Sequence, residues 1–431
     1  LNWISGTAKK SRQTRLDVAF AELHSHLYGC LTLDDLRYLK SRNGMRETFF
    51  ADSYRRAYGR DPDLTGLFDS DRSLSSLYHF RGPPDFPKFQ ASFDLIISLS
   101  STEPEELREV VLRVAQREPA QAAEYRQLFS PFIEISLFQE KVAALCEAIA
   151  EANRAHPGKK FRLAMSVPRS PEAGPRFLDA VYRVADSEAG QVITGIDFCA
   201  EEEGFPPESA REMLSLIQSR PVRGRPLDIL YHVGESFRDK SVESAVRWVL
   251  EAARMGAARL GHAAALGLDP REFLGQTRME IAGERKNQIR FELLHAESLR
   301  DAGISVHEDS LKHELASLRG TADEQTIPAH YSEERARRLG QFQDWAMQQI
   351  RATSAVIECC PSSNLAIVGM RFSHPVKRFI RAGLPVVIGA DDPGIFDTDL
   401  NREFELLRRW EVSENDIRQM QDRSVQIAER L

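Results

Sequence analysis

The chain has 431 residues, 42% apolar and 28% charged, with a formal net charge of −7, which excludes a disordered chain and argues against broad nucleic-acid binding but leaves room for a small anionic ligand. Its five cysteines (Cys30, Cys146, Cys199, Cys359, Cys360) are scattered without C-x-x-C spacing, so no disulfide framework is expected and a reducing, cytoplasmic compartment is. No apolar run approaches the roughly 20 residues that cross a bilayer, so no membrane partner is expected.

Residues 1–18 open on Leu1 and carry a basic, polar stretch from Thr7 to Arg15. They read as a linker following an upstream domain, with one barrel domain expected over residues 19–431. The run Val18-Ala19-Phe20-Ala21 leads into Glu22-Leu23-His24-Ser25-His26-Leu27-Tyr28-Gly29, and a helical pattern begins near Thr32. In a strand, residues two apart share a face, so His24 and His26 leave the backbone together and invite a divalent metal. A long helix-rich segment follows to about residue 120. It carries Tyr54, Arg55, Arg56, Tyr58 and Arg60, then a Gly82-Pro83-Pro84 turn and Phe86-Pro87-Lys88-Phe89. Its length exceeds an ordinary connection and suggests a lid or an interaction element.

Apolar strand patterns then recur at 123–129, 161–167, 192–198, 227–231, 258–261, 354–359 and 384–390, mostly separated by helical patterns. With the first strand they make eight, and alternating strands and helices predict a parallel (β/α)₈ barrel. A doubly wound open sheet is the competitor, but no Gly-rich phosphate fingerprint follows an early strand. Residues 271–350 interrupt the rhythm as a charged, mostly helical insertion with no clear strand. It is expected to pack outside the barrel as a subdomain, lid or oligomer contact, with His295, His307, His313 and His330 solvent-facing or structural, and a homo-oligomer is expected.

Barrel active sites lie at the C-terminal strand ends. There the first strand supplies His24 and His26, the fifth His232 with Glu235 close behind, the sixth His262, and the eighth Asp391-Asp392-Pro393. Each fragment is weak alone, but together they form an N/O donor set suited to zinc.

On these residues the chain resembles the adenosine/AMP deaminase family of metal-dependent amidohydrolase barrels. The matching motifs are His24-Ser25-His26-Leu27-x-Gly29, Phe86-x-Lys88-Phe89-x-x-x-Phe93, Ser130-Pro131, His232-x-Gly234-Glu235, Gly261-His262, Cys360-Pro361-x-Ser363-Asn364 and Asp391-Asp392-Pro393. The resemblance implies that His24, His26, His232 and Asp391 bind Zn²⁺. It also implies that Glu235 protonates purine N1, His262 holds the attacking water as base or electrostatic partner, and Asp392 orients water or purine. Tyr28, Gly29, Ala200 and Phe89 are the implied substrate contacts. Two positions depart from the family: Tyr28 replaces an acidic residue that can meet the ribose 5′-hydroxyl, and Ala200 replaces a glycine. A carboxylate would repel a 5′-phosphate where a phenol can donate to it. A 5′-phosphorylated adenine nucleotide is therefore expected, with Arg55, Arg56, Arg60, Arg72 or Arg81 on the phosphates. The insertions and Tyr28 also resemble the deaminase domains of CRISPR-associated antiphage proteins that convert ATP to ITP. The reaction implied is hydrolytic loss of the adenine 6-amino group of a nucleotide or nucleoside. The alternatives are another metal-dependent amidohydrolase and a non-catalytic nucleotide-binding signalling module.

Overall fold

The computed structural model describes residues 19–431; the linker expected at 1–18 lies outside the described residues. Strand β1 (Ala21–His26) pairs in parallel with β2 (Ala122–Gln127), and the order continues through β3 (Lys160–Ser166), β4 (Ile193–Phe198), β5 (Asp228–Val233) and β6 (Arg259–His262). Strands β7 (Thr277–Ile281) and β8 (Thr326–His330) stand apart, and β9 (Val356–Cys359) and β10 (Val386–Ile388) complete the parallel sheet of eight. The ends of the sheet meet at Ser25 and Asp391. There His26 N–H donates to Asp391 O at 2.9 Å and Asp391 N–H to His24 O at 2.8 Å. The result is a (β/α)₈ barrel.

The barrel interior is not wholly apolar. Arg126 (β2) and Arg259 (β6) lie fully buried among Glu124, Asp197 and Glu358. Arg259 meets Glu358 at 2.9 Å and also pairs with Glu124, while Arg126 bridges Glu358 and Asp197. Buried charges persist only when paired, because an isolated one would lose its hydration without return. This charged layer lies directly beneath the histidines of β1 and β5.

The long segment after β1 folds as α1 (Leu33–Asn43), α2 (Glu47–Tyr58), α3 (Asp71–Tyr78), α4 (Phe86–Leu99) and α5 (Pro104–Arg117). Asp85 caps α4 by accepting from Lys88 N–H, Pro87 sits in its first turn, and Phe89, Leu95, Ile96 and Leu99 form its buried face. Each choice follows the ordinary chemistry of a helix start.

The second insertion departs from expectation, because β7 and β8 form a two-stranded antiparallel sheet with Met279 opposite Pro328. A proline inside a short run argues against a strand when read from sequence, and here it is tolerated because the two-stranded sheet leaves its edges unpaired. Its neighbours are helical, including the helix Ala282–Leu294 and the helix Glu333–Arg351. His307, His313 and His330 are exposed and His295 is half-buried. No described helix is long and apolar enough to cross a membrane.

Candidate metal centre and active site

Strand alternation sends His24 and His26 to one side of β1, His24 fully buried and His26 with 17% of its side chain exposed. His232 comes from the end of β5 and Asp391 from the turn after β10. These four side chains offer three ring nitrogens and one carboxylate oxygen, all within 4.8 Å of one another. Asp391 Oδ1 lies 3.3 Å from His26 Nε2 and 3.5 Å from His24 Nε2.

The second layer fixes the rings. His24 Nδ1 meets Glu358 Oε2 at 2.9 Å, and His232 Nδ1 meets Asp197 Oδ1 at 3.0 Å. A carboxylate on one ring nitrogen sets the tautomer and turns the other nitrogen's lone pair inward, the usual support of a metal-binding histidine. Burial pushes His232 down to about 3, so it stays neutral and free to ligate. Burial opposes the charge on Asp391, but hydrogen bonds from His24 and His26 outweigh it and hold the carboxyl well below its usual range. Three outwardly anchored ring nitrogens and one ionised carboxylate fit a divalent metal.

Glu235, His262 and Asp392 surround that set. His262 ends β6 and is fully buried, and its Nδ1 is held at 3.0 Å by the Asn364 amide. Its Nε2 has no hydrogen-bond partner among the described residues and lies 3.6 Å from Glu235 Oε2. Asp392 Oδ1 is likewise buried and unpartnered. A Cβ on Gly29 would fall 1.9 Å from that oxygen, so only glycine leaves it room. Buried polar atoms are nearly always paired, and orphans in one cleft mark places for a ligand. Burial, then the charges of Asp391 and Glu202, push Glu235 well above the usual carboxylate range. Burial and Asp391 do the same to Asp392. His262 and Asp391 also hold left-handed backbone, φ 64° and 62°. Non-glycine residues adopt it at a cost, and such strain gathers at functional sites.

The residues expected to touch substrate divide. Phe89 is buried in α4 and stacks on Phe396 at 5.4 Å, and Phe93 stands edge-on to His26 at 6.4 Å, so α4 roofs the first strand's histidines. Ala200 is exposed with φ 66°, a left-handed backbone that favours glycine. Arg55 and Arg56 lie exposed on α2, away from the histidine cluster's partners, and Arg55 pairs with Asp52 and Asp61. Arg60 is exposed too. Tyr28 is buried and its hydroxyl donates to Glu106 Oε1 at 2.8 Å, which corrects the expectation of a phenol free for phosphate. Its single proton is already committed. Arg72 and Arg81 instead line a cleft with Leu33, Asp71, Ser75, Ser76 and His79. That cleft flanks the barrel mouth, since Tyr78 bonds to Leu31 O and Phe80 N–H to Ile395 O, beside the turns that follow β1 and β10.

Sequence reasoning passed over Glu358, Asp197, Arg126 and Glu202. Glu358 stands two residues before the Cys360-Pro361 motif and Asp197 near a strand end, so position was the available signal. Their partners lie far off along the chain, 334 residues in the case of Glu358 and His24.

Comparison with known proteins follows the same lines. An aminodeoxyfutalosine deaminase of Acidothermus cellulolyticus is 45% identical over 65 residues, 15% of this chain and 18% of that protein. The match thus spans under a fifth of that relative's length. In structure, a zinc-bound amidohydrolase of Burkholderia ambifaria aligns over 95% of this chain and 85% of its own, at 15% identity and a TM-score of 0.57. The Arabidopsis ADAL–IMP complex aligns over 95% and 92%, at 16% identity and a TM-score of 0.55. At such identities these structures establish the shared barrel alone. The family model for adenosine deaminase matches residues 68–282 and 325–429, well over half the chain, interrupted only within the second insertion. The chain belongs to the adenosine deaminase family.

Proposed function

We propose that this protein is a zinc-dependent hydrolase that replaces the 6-amino group of an adenine nucleotide or nucleoside with oxygen and releases ammonia. The observation that carries the reading is the placement of Glu235, whose carboxyl is held well above the usual range, and of two unpartnered buried atoms, His262 Nε2 and Asp392 Oδ1, around one N₃O donor set. Bound at His24, His26, His232 and Asp391, zinc would lower the pKa of a water to about 7 and so supply a nucleophile at neutral pH. His262, whose Nδ1 accepts from the Asn364 amide and whose Nε2 therefore carries the ring proton, would face the attacking oxygen as an electrostatic partner, and Asp392 would orient it, the water's own proton passing to solvent as the nucleophile forms. Attack at C6 drives electrons onto N1, where the Glu235 carboxyl delivers its proton. The roof of α4, with Phe89 and Phe93, keeps bulk water from the reacting atoms.

A 5′-phosphorylated substrate fits this chain better than adenosine. No acidic side chain occupies position 28, and the cleft at α3 gathers Arg72, Arg81 and two serines at the barrel mouth, beside an Asp71 whose carboxylate is paired with Arg37 at 2.6 Å. Arg72 has no carboxylate partner among the described residues, whereas Arg81 is shared with Asp397 at 2.9 Å. Two further supports are the IMP bound to the structurally similar Arabidopsis protein and the resemblance of the insertions and Tyr28 to deaminase domains acting on ATP. Ammonia release from adenine, adenosine, AMP and ATP by zinc-loaded protein tests both levels. Release from none of them removes the deaminase reading. Release from adenosine far faster than from AMP and ATP removes the nucleotide reading. Arg72→Ala is expected to raise KM for nucleotides roughly tenfold, the value of one charge-assisted contact, and to leave KM for adenosine unchanged.

A further inference from the structure

We infer that Glu202 is a positioning residue that aims Glu235 at the substrate, an inference that rests on the deaminase reading above. Gly234 takes left-handed backbone, φ 72°, and a Cβ there would lie 2.8 Å from Val249 Cγ2. The turn it makes points three successive amides, of Gly234, Glu235 and Ser236, at a common point. Consecutive amides arranged so form an anion-binding nest. Here the anion is part of the chain: Glu202 Oε1 accepts from Gly234 N–H at 2.9 Å, and Oε2 from Glu235 and Ser236 N–H at 3.2 Å each.

Glu202 is buried, and the segments around it are tied together. Arg169, also buried, donates to Cys199 O at 3.0 Å and His232 O at 2.8 Å, tying the end of β4 to the end of β5. Next along the chain, Glu203 accepts from Ser236 Oγ and from Arg238 N–H and Nε, and Gly204 N–H donates to Asp239. Residues 202–204 thus grip residues 234–239, the segment that carries Glu235, along its length. A backbone fixed at its own amide leaves Glu235 only side-chain torsions with which to stray. General acid catalysis depends on hydrogen-bond reach to the accepting atom, so a misplaced carboxyl loses both proton delivery and its hydrogen bond to a ring nitrogen held there.

The Glu202→Gln variant keeps the shape and puts an NH₂ group against an amide N–H. A double-mutant cycle with Glu235→Gln separates positioning from general support. It is read in kcat for deamination and, independently, in the dissociation constant of the inosine-type product, whose N1–H faces the same carboxyl. The expected result is a loss of about tenfold or more in both readouts in the wild-type background and under about twofold in the Glu235→Gln background, with metal content and melting temperature near wild type. Glu202→Asp, which keeps charge and two acceptor oxygens, is expected to recover part of the loss and serves as the test should Glu202→Gln fail to fold. Equal fold-losses in the two backgrounds, or none in either, overturn the positioning role. Full activity in Glu235→Gln alone overturns the deaminase assignment of Glu235 instead, so the two failures are told apart.

Discussion

Replacing Glu235 by glutamine removes one transferable proton and almost no volume. Deamination is expected to fall by about 10²–10⁴-fold, the usual range for a general acid, while metal content, read by elemental analysis, stays at the wild-type ratio. Retained activity would refute the proton-donor role. A second residue-scale test adds a single carbon: in Gly29→Ala the new methyl meets Asp392 Oδ1, so Asp392 must turn away. The expected outcome is loss of kcat with little change in melting temperature, since the clash is with one side-chain tip. At this scale the histidine pair was legible because residues two apart share a strand face, and the acids because they stand at strand ends. Glu358 and Asp197 were not, because which carboxylate meets which imidazole is decided by barrel closure. Tyr28 shows the limit differently. Its identity was plain, but its partner Glu106 sits on a helix whose packing no local pattern reveals.

Between helix Pro361–Ile367 and helix Val376–Arg381, His374 stacks on Trp410 at 4.7 Å and accepts from Val376 N–H at 3.2 Å. Burial pushes this ring down to about 3 from an ordinary 6.5. Between those values the unfolded chain binds a proton that the folded one refuses, so this site's contribution to stability is whole above about pH 6.5 and falls as pH drops towards 3. His374→Phe loses the Val376 contact at every pH but has nothing to titrate. The stability gap to wild type, measured by urea unfolding, is expected to narrow by about 2–3 kcal/mol between pH 7 and pH 4.5. A gap independent of pH would mean that His374 titrates normally. Elements differed in how openly the sequence declared them. Most barrel strands are apolar-rich runs set between helical patterns and stood out, whereas β7 and β8 are short, show Met279 to solvent while burying Glu280, and are interrupted by Pro328. Their existence depends on each other and on the loop they clasp, where Ile281 N–H meets Asp239 O at 2.8 Å and Arg278 Nη2 meets Phe237 O at 2.7 Å.

For the molecule as a whole, the four proposed metal ligands come from β1, β5 and the turn after β10, so a bound ion would join distant parts of the ring. Ligand bound only by the folded state stabilises it by about 4 kcal/mol at a thousandfold excess over its dissociation constant. Chelation is therefore expected to lower the melting temperature by several degrees, and added zinc to restore it. No shift in calorimetry would count against a metal at this site. The same three-way span explains how eight weak strand patterns could reveal a centre that none of them held alone. Strand order places the ends, and the side chains at those ends are few.

The seam between β1 and β10 has a temporal side. The first strand leaves the ribosome long before its last neighbour, and at roughly 5–20 residues per second His24 waits some tens of seconds for Asp391. Until then His24 and His26 have at most His232 for company, and the ring between β1 and β10 stands open. Metal loading therefore belongs after Asp391 has emerged, and a nascent chain stalled short of it is expected to retain zinc poorly however well its earlier strands have folded.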